Sequence, residues 1–330
     1  VHFTDHTANP MNLEQIGQLV FTEQQAKGNC LVVVNTKSWA YGLYRYCCEK
    51  GAKNIFHLST TMCAAHRTVV LDSVRNLLAR KETVLLISTQ LIECGVDISF
   101  RSVIRLAAGL DSILQAAGRC NRNGESGTGT VHIVRAIDGL EKIQRLDDIR
   151  EGRNVFLRIV AEYRDSLQNG TADLSDPAII ERYFSYYFYE RRGRMAYPCR
   201  HEAGEDTLLN MLGSNRKNPG YQEGLLLHQS FATAAKHFAA IETETQGVLV
   251  PYGEGKNIIA QLCSLGKSGT AADLALKRKL LRKAQRFAVN LYPETVKKLD
   301  SAITYMEETG ISYLDETHYD SKTGVTLEVA

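Results

Sequence analysis

The first 136 residues alternate short, largely apolar runs, one of them, Leu31–Asn35, continuously apolar up to Asn35, with longer amphipathic stretches. Leu31–Asn35, Asn54–Leu58, Thr83–Ser88, Ser102–Leu106 and Thr130–Val134 are the short runs, as expected for strands buried on both faces. Between them, Asn12–Lys27, Ser38–Lys50 and Cys63–Arg80 read as helices, with Gly28 and Gly51 standing where glycine stops a helix. Residues 1–10 read as irregular. Strands alternating with helices of this length predict an α/β fold, a doubly wound parallel sheet. In such sheets ligands gather beyond the carboxyl ends of the strands, and Thr36, Thr89 and Asp111 each follow a predicted strand.

The composition shifts after about residue 136, which divides the chain into a first domain, 1–136, and a second, 137–330. In the second, Leu140–Leu167 and Pro177–Arg192 read as helices, and the latter carries an aromatic cluster at 183–189 that reads as core. Residues 193–224 read as loops, Gln246–Pro251 as a strand and Asp273–Leu291 as a basic helix. Short strands are expected near 311–314 and 324–329. This half reads as linker helices followed by a mostly helical accessory domain.

Composition changes the picture little. Apolar residues make up 44% and charged residues 23% of the 330, as in ordinary globular proteins. A net charge of +2 does not argue for nucleic-acid binding, so any basic surface must be local. No apolar run approaches the ~20 residues that span a bilayer. The eight cysteines show no C-x-x-C spacing, which fits scattered thiols in a reducing, cytoplasmic setting better than disulfides or a zinc site. Val1 opens the chain without an initiator Met or a signal-peptide pattern, and the chain reads as a fragment of a longer protein.

The chemistry concentrates in Asp111–Arg122. Read as a helix, this stretch places Gln115, Arg119 and Arg122 on one face, and two guanidiniums one turn apart suit a polyphosphate. Gly118 removes a side chain where a ligand could approach; an incidental charged face is the alternative. Upstream, the loop Thr89–Asp97 carries Gly95-x-Asp97, which alone reads first as a β-turn.

Together, Gly-x-Asp and, about twenty positions later, Gln-x-x-Gly-Arg-x-x-Arg resemble the last two motifs of superfamily 2 helicases. The resemblance implies a RecA-like sheet and assigns roles residue by residue. Val32–Thr36 matches motif IV. Thr36, Ser59, Arg67 and Thr89 fall where the family touches the nucleic-acid backbone, and Gly95, Asp97 and Gly118 fall where it meets the nucleotide. Gln115, Arg119 and Arg122 match motif VI, with Arg122 the arginine finger and Arg119 a second phosphate contact.

The wording from Gly95 to Phe100 and from Ala108 to Gly124, with Arg182–Glu190 and Gly247–Gly253, is similar to the CRISPR-associated helicase–nuclease of type I systems, nearest the I-C branch. That family implies ATP and Mg²⁺ as cofactors, 3′→5′ movement on single-stranded DNA, and recruitment by the Cascade surveillance complex. The sequence departs from the family pattern in lacking Gly-x-x-x-x-Gly-Lys-Ser/Thr; Gly266-Lys267-Ser268 and the Asp315-Glu316-Thr317-His318 box read as chance matches out of order. The expectation is therefore a second motor lobe and C-terminal domain, inactive alone, that needs the parent's N-terminal RecA-like lobe and HD nuclease. The alternatives are a non-catalytic DNA- or Cascade-docking module and the C-terminal half of another superfamily 2 helicase. The basic run Lys277–Arg286 reads either as a DNA contact or as a solvated face over inward-packed Leu280, Leu281, Ala284 and Phe287.

Overall fold

The five short apolar runs become strands of one six-stranded, all-parallel sheet. The computed structural model describes the chain except residues 125–126, 202–203, 219, 225–226, 240–244, 266–270, 308 and 328–330. In chain order come β1 (His2–Asp5), α1 (Leu13–Lys27), β2 (Asn29–Val33), α2 (Lys37–Glu49), β3 (Ile55–Leu58), α3 (Ala64–Ala79) and β4 (Val84–Ser88). Next are β5 (Ser102–Leu106), α4 (Leu110–Ala117) and β6 (Thr130–Val134). The strand order is β1-β6-β5-β2-β4-β3, a RecA-like α/β arrangement.

Local chemistry sets the elements. Asn12 and Gln15 cap α1 reciprocally, each side chain accepting the other's backbone N–H at 2.9 Å. α2 starts at Thr36, whose Oγ1 accepts the Trp39 N–H at 3.4 Å. Ile16 and Val20 of α1 and Leu43 of α2 share one core with Val32, Leu85 and Ile104 of the sheet. Burying each such side chain contributes about 1.5–3 kcal/mol.

β1 departs from the expected irregular start. It pairs in register with β6, from His2↔Thr130 to Asp5↔Ile133, but lies at the sheet edge and is only partly buried, so it needs no apolar run. The helix expected over 140–167 begins instead at Asp147, as α5 (Asp147–Glu162), followed by α6 (Arg164–Gln168) and α7 (Pro177–Arg191). In the aromatic cluster of α7, Tyr183 is buried, whereas Phe188 and Tyr189 are 49% and 66% exposed, so the expectation of core holds for one end only.

The chain forms two compact units, residues 1–180 with 245–330, and residues 181–244. The smaller unit holds the antiparallel hairpin β7 (Pro198–His201) and β8 (Gly204–Thr207), then α8 (Leu208–Leu212) and α9 (Phe231–His237), around Cys199, Met211 and Ala234. The sequence reads as loop over this hairpin because its strands are four residues long and polar.

The larger unit is completed by β9 (Gln246–Leu249), α10 (Glu254–Leu265), α11 (Ala271–Ala284), β10 (Ala288–Leu291), α12 (Pro293–Lys298), β11 (Ile303–Met306) and β12 (Ile311–Leu314). With the expected helices comes a four-stranded sheet of order β10-β9-β12-β11. The basic helix stops at Ala284, seven residues before its expected end. Val289 and Leu291 are buried and Asn290 is exposed, a period of two that pairs β10 antiparallel with β9. Gly266-Lys267-Ser268 lies outside the described residues. The Asp315 box is a single turn of 3-10 helix capped by Asp315, whose Oδ1 accepts the Thr317 N–H at 2.9 Å.

The last hairpin, β13 (Tyr319–Asp320) and β14 (Gly324–Val325), is latched to the loop after β3. Thr61 Oγ1 donates to the Thr323 carbonyl at 2.7 Å, and the Val325 N–H donates to the Thr61 carbonyl at 2.9 Å. Gly324 makes the approach possible: its φ is +85°, and a Cβ there would lie 2.4 Å from the Thr61 carbonyl oxygen. Gly324→Ala is expected to destabilise the larger unit by about 1–3 kcal/mol, read as a lower urea midpoint. An unchanged midpoint would contradict the latch.

Candidate functional site

The two arginines of Gln-x-x-Gly-Arg-x-x-Arg do not share a helical face with Gln115. α4 ends at Ala117, and the Gly118 N–H closes it onto the Leu114 carbonyl at 2.9 Å. Cys120 then forms a parallel bridge with Phe100, the Phe100 N–H bonding the Arg119 carbonyl at 2.8 Å and the Asn121 N–H bonding the Phe100 carbonyl at 2.7 Å. Asn121 turns the chain at a φ of +47°, which asparagine tolerates better than most residues. Glycine's poor helix propensity and the competing bridge together overturn the expected helix through Arg122.

The turn gives the arginines different surroundings. Arg119 is 7% exposed, and its Nε and Nη2 donate to the carbonyls of Ile92 and Glu93 at 3.0 and 2.6 Å. It thereby fastens the Thr89–Asp97 loop to the end of α4. Burial lowers its pKa, and the neighbouring positive charge of Arg122 adds to the shift. Arg122 is on the surface, with Nε 3.0 Å from Asp97 Oδ1 and side-chain exposures of 44% and 83% for the pair. Its backbone N–H donates to Ser99 Oγ at 3.0 Å, in the segment leading into β5. Gly95 sits nearby in the chain at a φ of +70°, with no atom within 4 Å of where a Cβ would stand. Gln115 is exposed, and its Oε1 accepts a weak bond from Cys94 Sγ at 3.5 Å. The structure therefore brings Asp97 and Arg122 together and turns Arg119 inward.

Beneath this surface lies a buried polar network that the sequence reading missed. Arg105, 0% exposed, donates through Nη1 to Asn35 Oδ1 and through Nη2 to Ser112 Oγ, both at 2.7 Å. Ser112 Oγ donates to Glu93 Oε1 at 2.8 Å, and Arg105 Nε stands 3.2 Å from the same oxygen. Asn35 Nδ2 in turn donates to Glu141 Oε2 at 3.2 Å. Burial pushes the Glu93 and Glu141 carboxyls up and the Arg105 guanidinium down, while the pairing opposes each shift. One signal was available: Arg105 is the single charge inside an otherwise apolar strand run.

The other expected residues line the carboxyl ends of β2, β3 and β4. Thr36 is half-buried at the start of α2, and Thr89 is 7% exposed, its N–H bonded to the Leu58 carbonyl at 3.1 Å. Ser59 is wholly buried, its hydroxyl 3.0 Å from His57 Nε2 and 2.6 Å from Thr61 Oγ1. Burial lowers the His57 pKa to about 4, so the ring is neutral near neutral pH. Arg67, on α3, is half-buried, and its Nε has no hydrogen-bond partner.

Arg105→Met leaves the Glu93 carboxyl buried without its countercharge and is expected to cost about 3–5 kcal/mol in urea unfolding. Adding Glu93→Gln should recover part of the loss. A single-variant cost under about 1 kcal/mol would contradict the network's role.

Comparison with known proteins bears on the fold. The family described as CRISPR-associated nuclease/helicase Cas3, C-terminal, matches residues 26–125. The CRISPR-associated nuclease/helicase Cas3 of Haloferax volcanii is 59% identical over 49 residues, 15% of this chain and 5% of that protein. Among solved structures, T. fusca Cas3 with ADP has a TM-score of 0.55 at 12% identity, covering 99% of this chain and 42% of that one. A chain of a CRISPR RNA-guided surveillance complex in a pre-nicking state gives 0.50 at 13% identity, covering 96% and 41%. At such identities the likeness establishes the fold, and the chain spans about two fifths of the length of these structures. Residues 26–125, which hold both motifs, match the Cas3-like C-terminal family model, and the chain shares its fold with part of the Cas3 structures.

Proposed function

We propose that the chain is the second motor lobe and C-terminal domain of an ATP-dependent, 3′→5′ single-stranded-DNA translocase that degrades foreign DNA. Arg122 is its arginine finger. The observation that carries this reading is the exposed Arg122–Asp97 pair beside a loop fixed from below. An exposed ion pair is worth only about 0–1 kcal/mol, so the guanidinium can leave Asp97 for a triphosphate at little cost. Arg119, with Nε and Nη2 bonded to the loop, acts as a positioning residue.

On this reading the residues present would face the phosphates of ATP, and the carboxylates that hold Mg²⁺ would come from the N-terminal lobe. Gly95 leaves the backbone open, and Arg122 presents donors to solvent. When bound, ATP with Mg²⁺ supplies the phosphoryl group and neutralises part of its charge. The finger's role is to face the charge that spreads over the transferring oxygens. An N-terminal RecA-like lobe supplies the other half, and on this reading the chain is inactive alone.

Thr36, Arg67 and Thr89 form the nucleic-acid edge in this proposal, while Ser59, wholly buried, positions the loop after β3. The fold shared with a chain of an RNA-guided surveillance complex supports Cascade as the recruiting partner, and the motif wording favours the I-C branch. In a motor that includes the N-terminal lobe, Arg122→Ala is expected to lower ATP turnover by about 10³-fold or more, with ATP affinity changed only a few-fold. Turnover within about tenfold of the parent would refute the assignment.

A further inference from the structure

After its first turns, where Leu274 and Leu276 are exposed, the two faces of α11 are chemically opposite. Leu280, Ala284 and the following Phe287 are 5%, 2% and 8% exposed and pack into the core of the second sheet. Arg278, Lys279, Arg282, Lys283 and Arg286 are all exposed. Arg278, Arg282 and Arg286 recur every four residues, a stripe about 12 Å long at the helical rise.

Three features set this stripe apart from an ordinary solvated face. There is no Asp or Glu from Leu274 to Pro293. Among the described residues, none of the five cations has an ion-pair partner. The whole chain carries a net charge of only +2, so the rest of it is net acidic and these charges are a local concentration. Like charges four residues apart on a helix repel by about 0.2–0.5 kcal/mol per pair, and here inward packing holds them together against that repulsion. A polyanion relieves it.

We infer that the outer face of α11 is a second contact for single-stranded DNA, through the phosphate backbone. The stripe presents no exposed apolar or aromatic side chain from Arg278 to Arg286, and so lacks the anchors on which protein interfaces depend. Phosphate binding needs only the charges. The turn Gln285–Phe287 packs against α3, the helix that carries Arg67, which joins the stripe to the edge assigned to nucleic acid above. The inference extends that nucleic-acid reading.

The test is fluorescence anisotropy of a labelled oligothymidylate with the full chain over a series of salt concentrations. The R278Q/R282Q/R286Q variant, in which glutamine preserves helix propensity, is expected to bind more weakly. Its slope of log affinity against log salt should be shallower by about 2, since each phosphate contact on a single strand contributes roughly 0.7. The R278K/R282K/R286K variant should keep the parent slope, and an equal loss there would point to packing by the guanidinium stems and overturn the inference. A glutamine variant with parental affinity and slope would overturn it too, while leaving the nucleic-acid edge in place. Unchanged DNA binding with loss of an acidic protein partner would assign the face to that partner instead. A parent chain that binds no DNA at all would remove both this inference and the reading it extends.

Discussion

A guanidinium buried at the centre of a parallel sheet is expensive to desolvate, and Arg105 is tolerable only because each of its neighbours answers it. Glu93 supplies the countercharge, Ser112 and Asn35 accept its N–H groups, and Glu141 closes the ring through Asn35. Apolar residues of similar volume are often at least as stabilising in such a place. What the network adds is position. Its members come from the exit of β2, the Thr89–Asp97 loop, the middle of β5, the first turn of α4 and the segment after β6, so one buried charge fixes five pieces of chain relative to each other. The loop cannot shift without breaking a paired, hydrogen-bonded buried charge.

The surface chemistry depends on that fixed platform. Arg119 adds two bonds to the same loop from the far end of α4, leaving Arg122 alone at the surface in a loose pair with Asp97. Two arginines three residues apart thus do opposite work. The inner one is immobilised and holds backbone; the outer one is held weakly and can change partners. The candidate residues also separate along β5. Arg122 lies beside the segment leading into that strand through Ser99, whereas Thr36, Ser59 and Thr89 sit beyond the carboxyl ends of the neighbouring strands.

Much of this was legible in the sequence, for reasons that also explain what was not. Strands β2 to β6 are short, largely apolar runs because they are mostly buried, and hydropathy exposes such runs directly. β1 was illegible because an edge strand needs no apolar run, and β7 and β8 because four polar residues carry no period. The stretch through Arg122 misled because Gln115, Arg119 and Arg122 do have helical spacing. Gly118 weakens the helix there, and the bridge between Cys120 and Phe100, a contact distant in sequence, completes its end at Ala117. The same holds for β10: its alternation was hidden behind a strongly helical basic run, and pairing with β9 decided it. The partners of Arg105 could not be read from spacing at all, since they are brought together only by the folded sheet.

The most direct test is a structure of the complete motor, with its N-terminal lobe, bound to ADP and aluminium fluoride as a mimic of the transferring phosphoryl group. The account predicts that Arg122 has left Asp97 and lies within hydrogen-bonding distance of the fluoride, while Arg119 still holds the carbonyls of Ile92 and Glu93. Arg122 remaining on Asp97, with Arg119 or another cation at the fluoride, would contradict it.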